Sequence, residues 1–235
     1  VEEQKEEIQE VLKGSDMVFI TCGLGGGCGS GASPVVAEIA KKTGALTLAI
    51  VTKPFSFEGG QRMEIAGNSQ DKLKEKVDTL IAISNDKLVS TLSPETTVLS
   101  AFWICDEILR QAVQGISDLI ILPGIINISF ADVKAIMKDS GLALFGIGRA
   151  KGPERAKEAA KKALSSPLLG ISCKGAKGVL FNVSGGKDIS LTEVDEIAKI
   201  ITQEASPEAK IIFGAIQDEK LPKGEIKVTV VATGF

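Results

Sequence analysis

Residues 23–31 read Gly-Leu-Gly-Gly-Gly-Cys-Gly-Ser-Gly, six glycines in nine positions. A β-branched apolar run, Met17–Thr21, precedes them, and Ser33–Lys42 follows with helical spacing at Val35, Val36, Ile39 and Ala40. A strand, a glycine-rich turn and a helix together form an anion site. Glycine lets the backbone come close to phosphate oxygens, and N–H groups at the positive helix end face the anion. Ser30 and Cys28 can add contacts, the thiol being the weaker donor. Other versions of this device fit less well. G-x-x-x-x-G-K-[ST] is absent. Counted from Gly23, Gly25 and Gly27, the last position of G-x-G-x-x-G is Cys28, Ser30 and Ala32, and only the third meets the relaxed form. A tight turn that lets helix and sheet pack closely is the competing reading of the same glycines.

Composition removes several chemistries. With no histidine there is no Ser-His-Asp triad, no Cys-His dyad and no His-ligated zinc. Cys22, Cys28, Cys105 and Cys173 form no C-x-x-C, which argues against a zinc ribbon, and unpaired cysteines suit a reducing compartment. A net charge of -3 gives no basic footprint for nucleic acid. No apolar run reaches membrane-spanning length and no signal peptide is visible. The chain opens inside a charged amphipathic helix with Ile8, Val11 and Leu12 as its stripe, without a start methionine, and so reads as a fragment.

The elements that must position these residues follow from periodicity. Ala45–Thr52 and Thr79–Ile83 read as further strands and Lys72–Asp78 as a helix, an alternation that implies a covered parallel sheet. From Thr97 to Leu122 a long helix carries Val98, Phe102, Cys105, Leu109, Ala112, Ile116 and Leu119 on one stripe, ending at Pro123-Gly124. At 1.5 Å per residue it spans about 39 Å. Beyond it, Asp132–Met137, Pro153–Leu164 and Leu191–Ala205 read as helices, and Ala143–Gly148 and Gly178–Ser184 as strands. Lys210–Gln217 and Glu225–Thr233 read as a closing antiparallel pair.

Gly25–Gly31 resembles the tubulin/FtsZ signature G-G-G-T-G-[TS]-G, with Cys28 in the threonine position. The flanking Ser15-Asp-Met-Val-Phe-Ile and Ala32-Ser-Pro-Val-Val-Ala agree, as do Thr52-Lys-Pro-Phe-Ser-Phe-Glu-Gly, Asn85-Asp-Lys-Leu, Asn127-Ile-Ser-Phe-Ala-Asp-Val, Ser166-Pro-Leu-Leu and the closing Val228–Phe235. The likeness runs the length of the chain. It implies an α/β fold: an incomplete Rossmann-type GTPase domain with a parallel sheet (1–96), a central helix (97–122) and an α+β C-terminal domain (123–235).

The resemblance also implies roles. Gly25, Gly26, Gly27, Cys28, Gly29, Ser30 and Gly31 would hold the phosphates of GTP or GDP, with magnesium as a companion ion, and Glu58 and Arg62 would meet the ribose. Asn85 would read guanine together with an acid of the central helix; that position falls on Glu107, with Asp106 just before it. A loop of pattern N-x-D-x-x-D would enter the neighbouring subunit's site and orient water. Here it is Asn127, Ser129 and Asp132, the serine replacing one acid and implying weaker hydrolysis. Taken alone, Glu58, Arg62, Asp106 and Glu107 read as surface or boundary charges, and the loop as a helix cap. The implied protein assembles head to tail into cell or plastid division filaments, in the cytoplasm or plastid stroma. A tail beyond this chain would bind membrane-tethering partners, with no nucleic acid partner and no direct membrane insertion. The fragment itself would hydrolyse no GTP. The alternatives are a weakly hydrolysing co-polymerising subunit and, more remotely, a dinucleotide-binding oxidoreductase.

Overall fold

A computed structural model describes residues 1–89, 92, 93, 95–165 and 173–235; the Ser166–Leu169 motif lies outside them. The chain divides into two compact units, Val1–Val113 with Met137–Ala143, and Gln114–Ile136 with Leu144–Phe235. In chain order the elements are α1 (Lys5–Leu12), β1 (Met17–Gly23), α2 (Gly27–Lys42), β2 (Leu46–Lys53), α3 (Gly60–Lys76), β3 (Thr79–Ser84), α4 (Asn85–Val89) and α5 (Val98–Ile121). There follow α6 (Phe130–Met137), β4 (Gly141–Lys151), α7 (Arg155–Leu164), β5 (Gly178–Gly185), α8 (Leu191–Glu204), β6 (Lys210–Gln217) and β7 (Glu225–Thr233). None of the described helices is long and apolar enough to cross a membrane.

In the first unit β1, β2 and β3 are parallel, and β4 begins parallel to β3 at Gly141 and Leu142. The middle strand β2 is buried from Leu46 to Thr52, as a strand covered on both faces must be. Ile20, Val51, Leu73 and Leu80 share its core. Helix α1 forms with Ile8 and Leu12 of the expected stripe half-buried, whereas Val11 is exposed. Helix α3 starts twelve positions earlier than the periodicity showed, at Gly60 instead of Lys72. Its core face uses the small residues Ala66 and Ser69, which carry little hydrophobic signal. The stripe on α5 is buried at Cys105, Ala112, Ile116 and Leu119, whereas Val98, Leu99, Phe102 and Trp103 are exposed.

In the second unit the strand order is β4-β7-β5-β6. Strands β6 and β7 are therefore not the antiparallel pair their spacing suggested. β5 lies between them, parallel to β6 and antiparallel to β7. Helix α8 supplies the crossover that parallel neighbours need, and it leaves β7 to return on the other side of β5. Phe181, Val183, Ile197, Val228 and Val230 fill this core.

Arg155 opens α7 in a buried position, its guanidinium donating to Glu193 (2.6 Å), to the Asp188 carboxylate (2.6 Å) and to the Asp188 carbonyl (2.9 Å). Its bond holds the Glu193 carboxyl below the usual range. Glu193 therefore contributes stability above its unfolded pKa, and loses it as pH falls through the lowered folded value. Arg155→Leu is expected to destabilise this unit by about 3 kcal/mol at pH 7, because two carboxylates lose their partner. The deficit should shrink toward pH 3 in urea melts, and a pH-independent deficit would contradict the ion-pair account.

Candidate functional site

The glycine run is a short turn followed by the first turn of a helix. Helix α2 begins at Gly27, with Gly26 as its extended N-cap, six positions before the helical spacing became visible. Helix geometry leaves the N–H groups of Gly27, Cys28 and Gly29 without partners inside the helix, all at its positive end. Gly25 sits at φ +97, where a side chain would also press on Arg62 Cγ at 2.9 Å and Pro54 Cγ at 3.2 Å. Its N–H donates to Ser30 Oγ at 2.9 Å, which closes the turn.

Ser30 is positioned by chemistry the sequence reading missed. Pro34 lies inside α2 and has no N–H to give the Ser30 carbonyl one turn back. That carbonyl accepts the Ser69 hydroxyl of α3 instead, at 3.1 Å. A proline eight residues into a helix and a serine on the neighbouring core face are the signals that could have located this tie. A cavity of about 420 Å³ opens beside the turn, bounded by Gly26, Gly27, Gly31, Asn68 and Lys72.

The segment after β2 folds over the turn. Phe55 is buried, and its N–H donates to Glu58 Oε1 at 2.8 Å. Glu58 Oε2 meets Arg62 Nη1 at 3.0 Å. Both oxygens of Glu58 are thus engaged, one in shaping its own loop and one in holding Arg62 beside Gly25. Asp86, at the start of α4, accepts the Ser56 N–H at 2.8 Å and joins this segment to Asn85. Asn85 is buried, and its side-chain oxygen has no hydrogen-bond partner among the described residues. A buried amide oxygen without a donor is costly. A ligand with an N–H group would relieve it, which fits a purine.

Phe102 of α5 sets its ring edge-on to Phe55 at 5.1 Å, and Phe55 stacks on Phe57 at 4.9 Å. Asp106 follows Phe102 by four positions and so shares its face of the helix. Burial first, and the Asp106 charge second, push the Cys105 thiol up to about 11; Glu58 adds to the same effect. Asp106 and Glu58 therefore act on one neighbourhood. Glu107 is turned about 100° further round and gives its oxygens to Arg110, at 2.7 and 2.6 Å, and to Gln111 at 2.8 Å.

The remaining residues belong to the second unit. Asn127 Oδ1 accepts the Gly124 N–H at 2.7 Å, which folds the loop before α6. Ile125 and Ile126 donate to the Ala215 carbonyl at 2.7 and 3.2 Å, and Ala215 N–H returns a bond to Ile126 at 3.0 Å. The loop is thus pinned to β6, with Ile128 buried. Ser129 caps α6, and Asp132 in the first turn receives its N–H and hydroxyl. Among the described residues no group of three or more Cys, Asp or Glu is arranged to hold a metal ion. Within the first unit the structure ties Gly25 to Ser30 and packs it against Arg62, pairs Arg62 with Glu58, and bonds the Glu58 loop to Asp86 beside Asn85, while Asp106 and Glu58 both act on Cys105. Asn127, Ser129 and Asp132 gather separately in the second.

Residues 1–93 match the Tubulin/FtsZ family, GTPase domain, and residues 141–235 match the FtsZ family, C-terminal domain. An empty FtsZ dimer from M. jannaschii is similar at 48% identity and TM-score 0.93, over 99% of this chain and 67% of that one. A GDP-bound monomer of CetZ1 from Haloferax volcanii shares the fold at TM-score 0.80 and 19% identity, over 100% of this chain and 71% of that one. CetZ from Methanosaeta thermophila shares it at TM-score 0.81 and 20% identity, over 98% of this chain and 65% of that one.

Proposed function

Because this chain belongs to the tubulin/FtsZ family of GTPases, we propose that it binds GTP and assembles head to tail into filaments. Hydrolysis then takes place where one subunit's acidic loop meets the next subunit's nucleotide. The observation that carries nucleotide binding is a phosphate turn and a buried Asn85 oxygen, unpartnered among the described residues, at the same end of the parallel sheet, after β1 and β3. The N–H groups of Gly27, Cys28 and Gly29 hold phosphate oxygens, with Arg62 alongside. Phe102 offers its ring to the base. A contact of turn against loop uses two different surfaces, so it need not close and extends as a filament. Any magnesium ion would take its ligands mainly from phosphates and water, since no acidic cluster is arranged for it among the described residues.

Two observations favour Asp106 over Glu107 as the acid that meets guanine N1 and N2. Asp106 shares a face with Phe102, and Glu107 is already latched to Arg110. Asp106→Asn is expected to weaken GTP binding about 10²-fold, two charge-assisted bonds at about 1.5 kcal/mol each being lost. Binding of XTP, whose xanthine reverses the hydrogen-bonding pattern there, should improve. Equal GTP affinity for Asp106→Asn, with a loss for Glu107→Gln, would reverse the assignment.

For the hydrolytic step, Asp132 orients water toward the γ-phosphorus. The water oxygen forms the new P–O bond, and the bond to the β–γ bridging oxygen breaks with its electron pair left on GDP. The water's protons pass to the released phosphate and to solvent. Such a transition state needs positioning and charge placement more than a strong base. A division ring in the cytoplasm, tethered to membrane through partners of a tail segment, is the setting this reading predicts. Ser129 in place of a second acid favours one variant of it, a slowly hydrolysing subunit of a mixed polymer. Phosphate release measured beside GTP-dependent sedimentation of the full-length protein separates the two. Assembly without turnover supports the slow subunit, and neither activity defeats both.

A further inference from the structure

We propose that Ser129 is a positioning residue that aims Asp132, so that one carboxylate does the work shared elsewhere between two. This rests on the reading of Asp132 given above. Ser129 N–H and Ser129 Oγ both donate to the same oxygen, Asp132 Oδ2, at 2.9 and 2.6 Å. Asp132 N–H returns a bond to Ser129 Oγ at 3.2 Å. The other oxygen, Oδ1, accepts no hydrogen bond among the described residues. A carboxylate has about four acceptor positions, and filling one oxygen from two directions fixes the plane of the group. Oδ1 is then held at a set angle on the exposed side of the first turn of α6, where it can receive a water.

The anchor beneath Ser129 is rigid. Ile128 is buried beside Gly214. Two residues before Ser129 the chain is tied by Asn127, and three before it by the bridge from Ile126 to Ala215. A serine hydroxyl on this anchor cannot replace the charge of an acid. It can replace the mutual orientation that two acids would otherwise set, and preorganisation at a developing charge is a large catalytic term. Lys210 is the other charge acting on Asp132.

The test is a double-mutant cycle on the full-length protein, read as kcat for GTP together with its pH profile and GTP-dependent sedimentation. Ser129→Ala is expected to lower kcat about tenfold, one charge-assisted bond's worth. The acid limb should move toward the ordinary carboxylate range, with sedimentation unchanged. Ser129→Thr keeps the hydroxyl and should stay near the native rate. In an Asp132→Ala background, Ser129→Ala should cost nothing more. A native rate and native acid limb for Ser129→Ala, with Asp132→Ala inactive, overturn the positioning role alone. An equal loss in both backgrounds reduces Ser129 to a helix cap. Native turnover in Asp132→Ala defeats the underlying reading and the proposal with it.

Discussion

Asp132→Ala in the full-length protein is expected to reduce GTP turnover by about 10²–10³-fold, the cost typical of removing one preorganised group that acts only in the transition state. Nucleotide affinity should stay within about twofold, because the phosphate turn and Asn85 belong to the first unit. Sedimentation with GTP should persist, so that the variant accumulates assembled, unhydrolysed polymer. The Ser129 hydroxyl first, and the Ser129 N–H second, hold the Asp132 carboxyl below the usual carboxylate range. A lowered pKa keeps the anion present above the ordinary value and surrenders it only as pH falls through the lowered one. Native turnover should therefore show no loss on this account between pH 5 and 8. Turnover within threefold of native for Asp132→Ala, measured by phosphate release from sedimented polymer, would remove this residue from the mechanism.

Gly29→Ala should weaken nucleotide binding about 10²-fold. A Cβ at Gly29 would stand 2.1 Å from the Gly23 carbonyl oxygen and 3.3 Å from Cys22 Cβ, so β1 and the start of α2 would have to separate. The obstacle is backbone, which cannot rotate away, and overpacking of this kind costs about 1–3 kcal/mol. The larger effect is on geometry. Displacing the three orphan N–H groups by about 1 Å is enough for a loss on the order of 10²-fold. Gly67→Ala is the matching control. It lies in α3 with nothing within 4 Å of its new methyl group, and should stabilise slightly. Isothermal titration with GTP on both variants checks the pair. Equal binding by Gly29→Ala would mean that the turn does not hold phosphate.

What could be read from the chain alone depended on how strongly each segment signals its burial. β2 and β3 were legible because a strand covered on both faces is apolar throughout, and the glycine run was legible because few other uses need so many glycines together. The start of α2 was not, since its first turn is built from glycine, cysteine and serine, which have no helical periodicity to show. Helix α3 was hidden in the same way by Ala66 and Ser69. The pairing of β6 was misread because separation along the chain says nothing about a third strand that comes between. Among the candidate site residues, type and motif singled out Asp132, Arg62 and Asn85. They could not show that Glu58 spends both oxygens on its own loop, that Glu107 is latched along its helix, or that Pro34 leaves a carbonyl for Ser69. Those are facts of three-dimensional partnership, and no residue carries them by its identity.

The position of β7 sets an order on how the second unit is made. It follows β4, β5 and β6 along the chain, yet it lies between β4 and β5. Until it arrives, both of those strands present a bare row of N–H and C=O groups, open to any other extended chain. During synthesis the unit therefore cannot close its sheet until β7 itself has left the ribosome. The nine-residue β7 is then a keystone, and a chain cut short at about residue 224 should be a substrate for chaperones and aggregation, with no folded second unit to show.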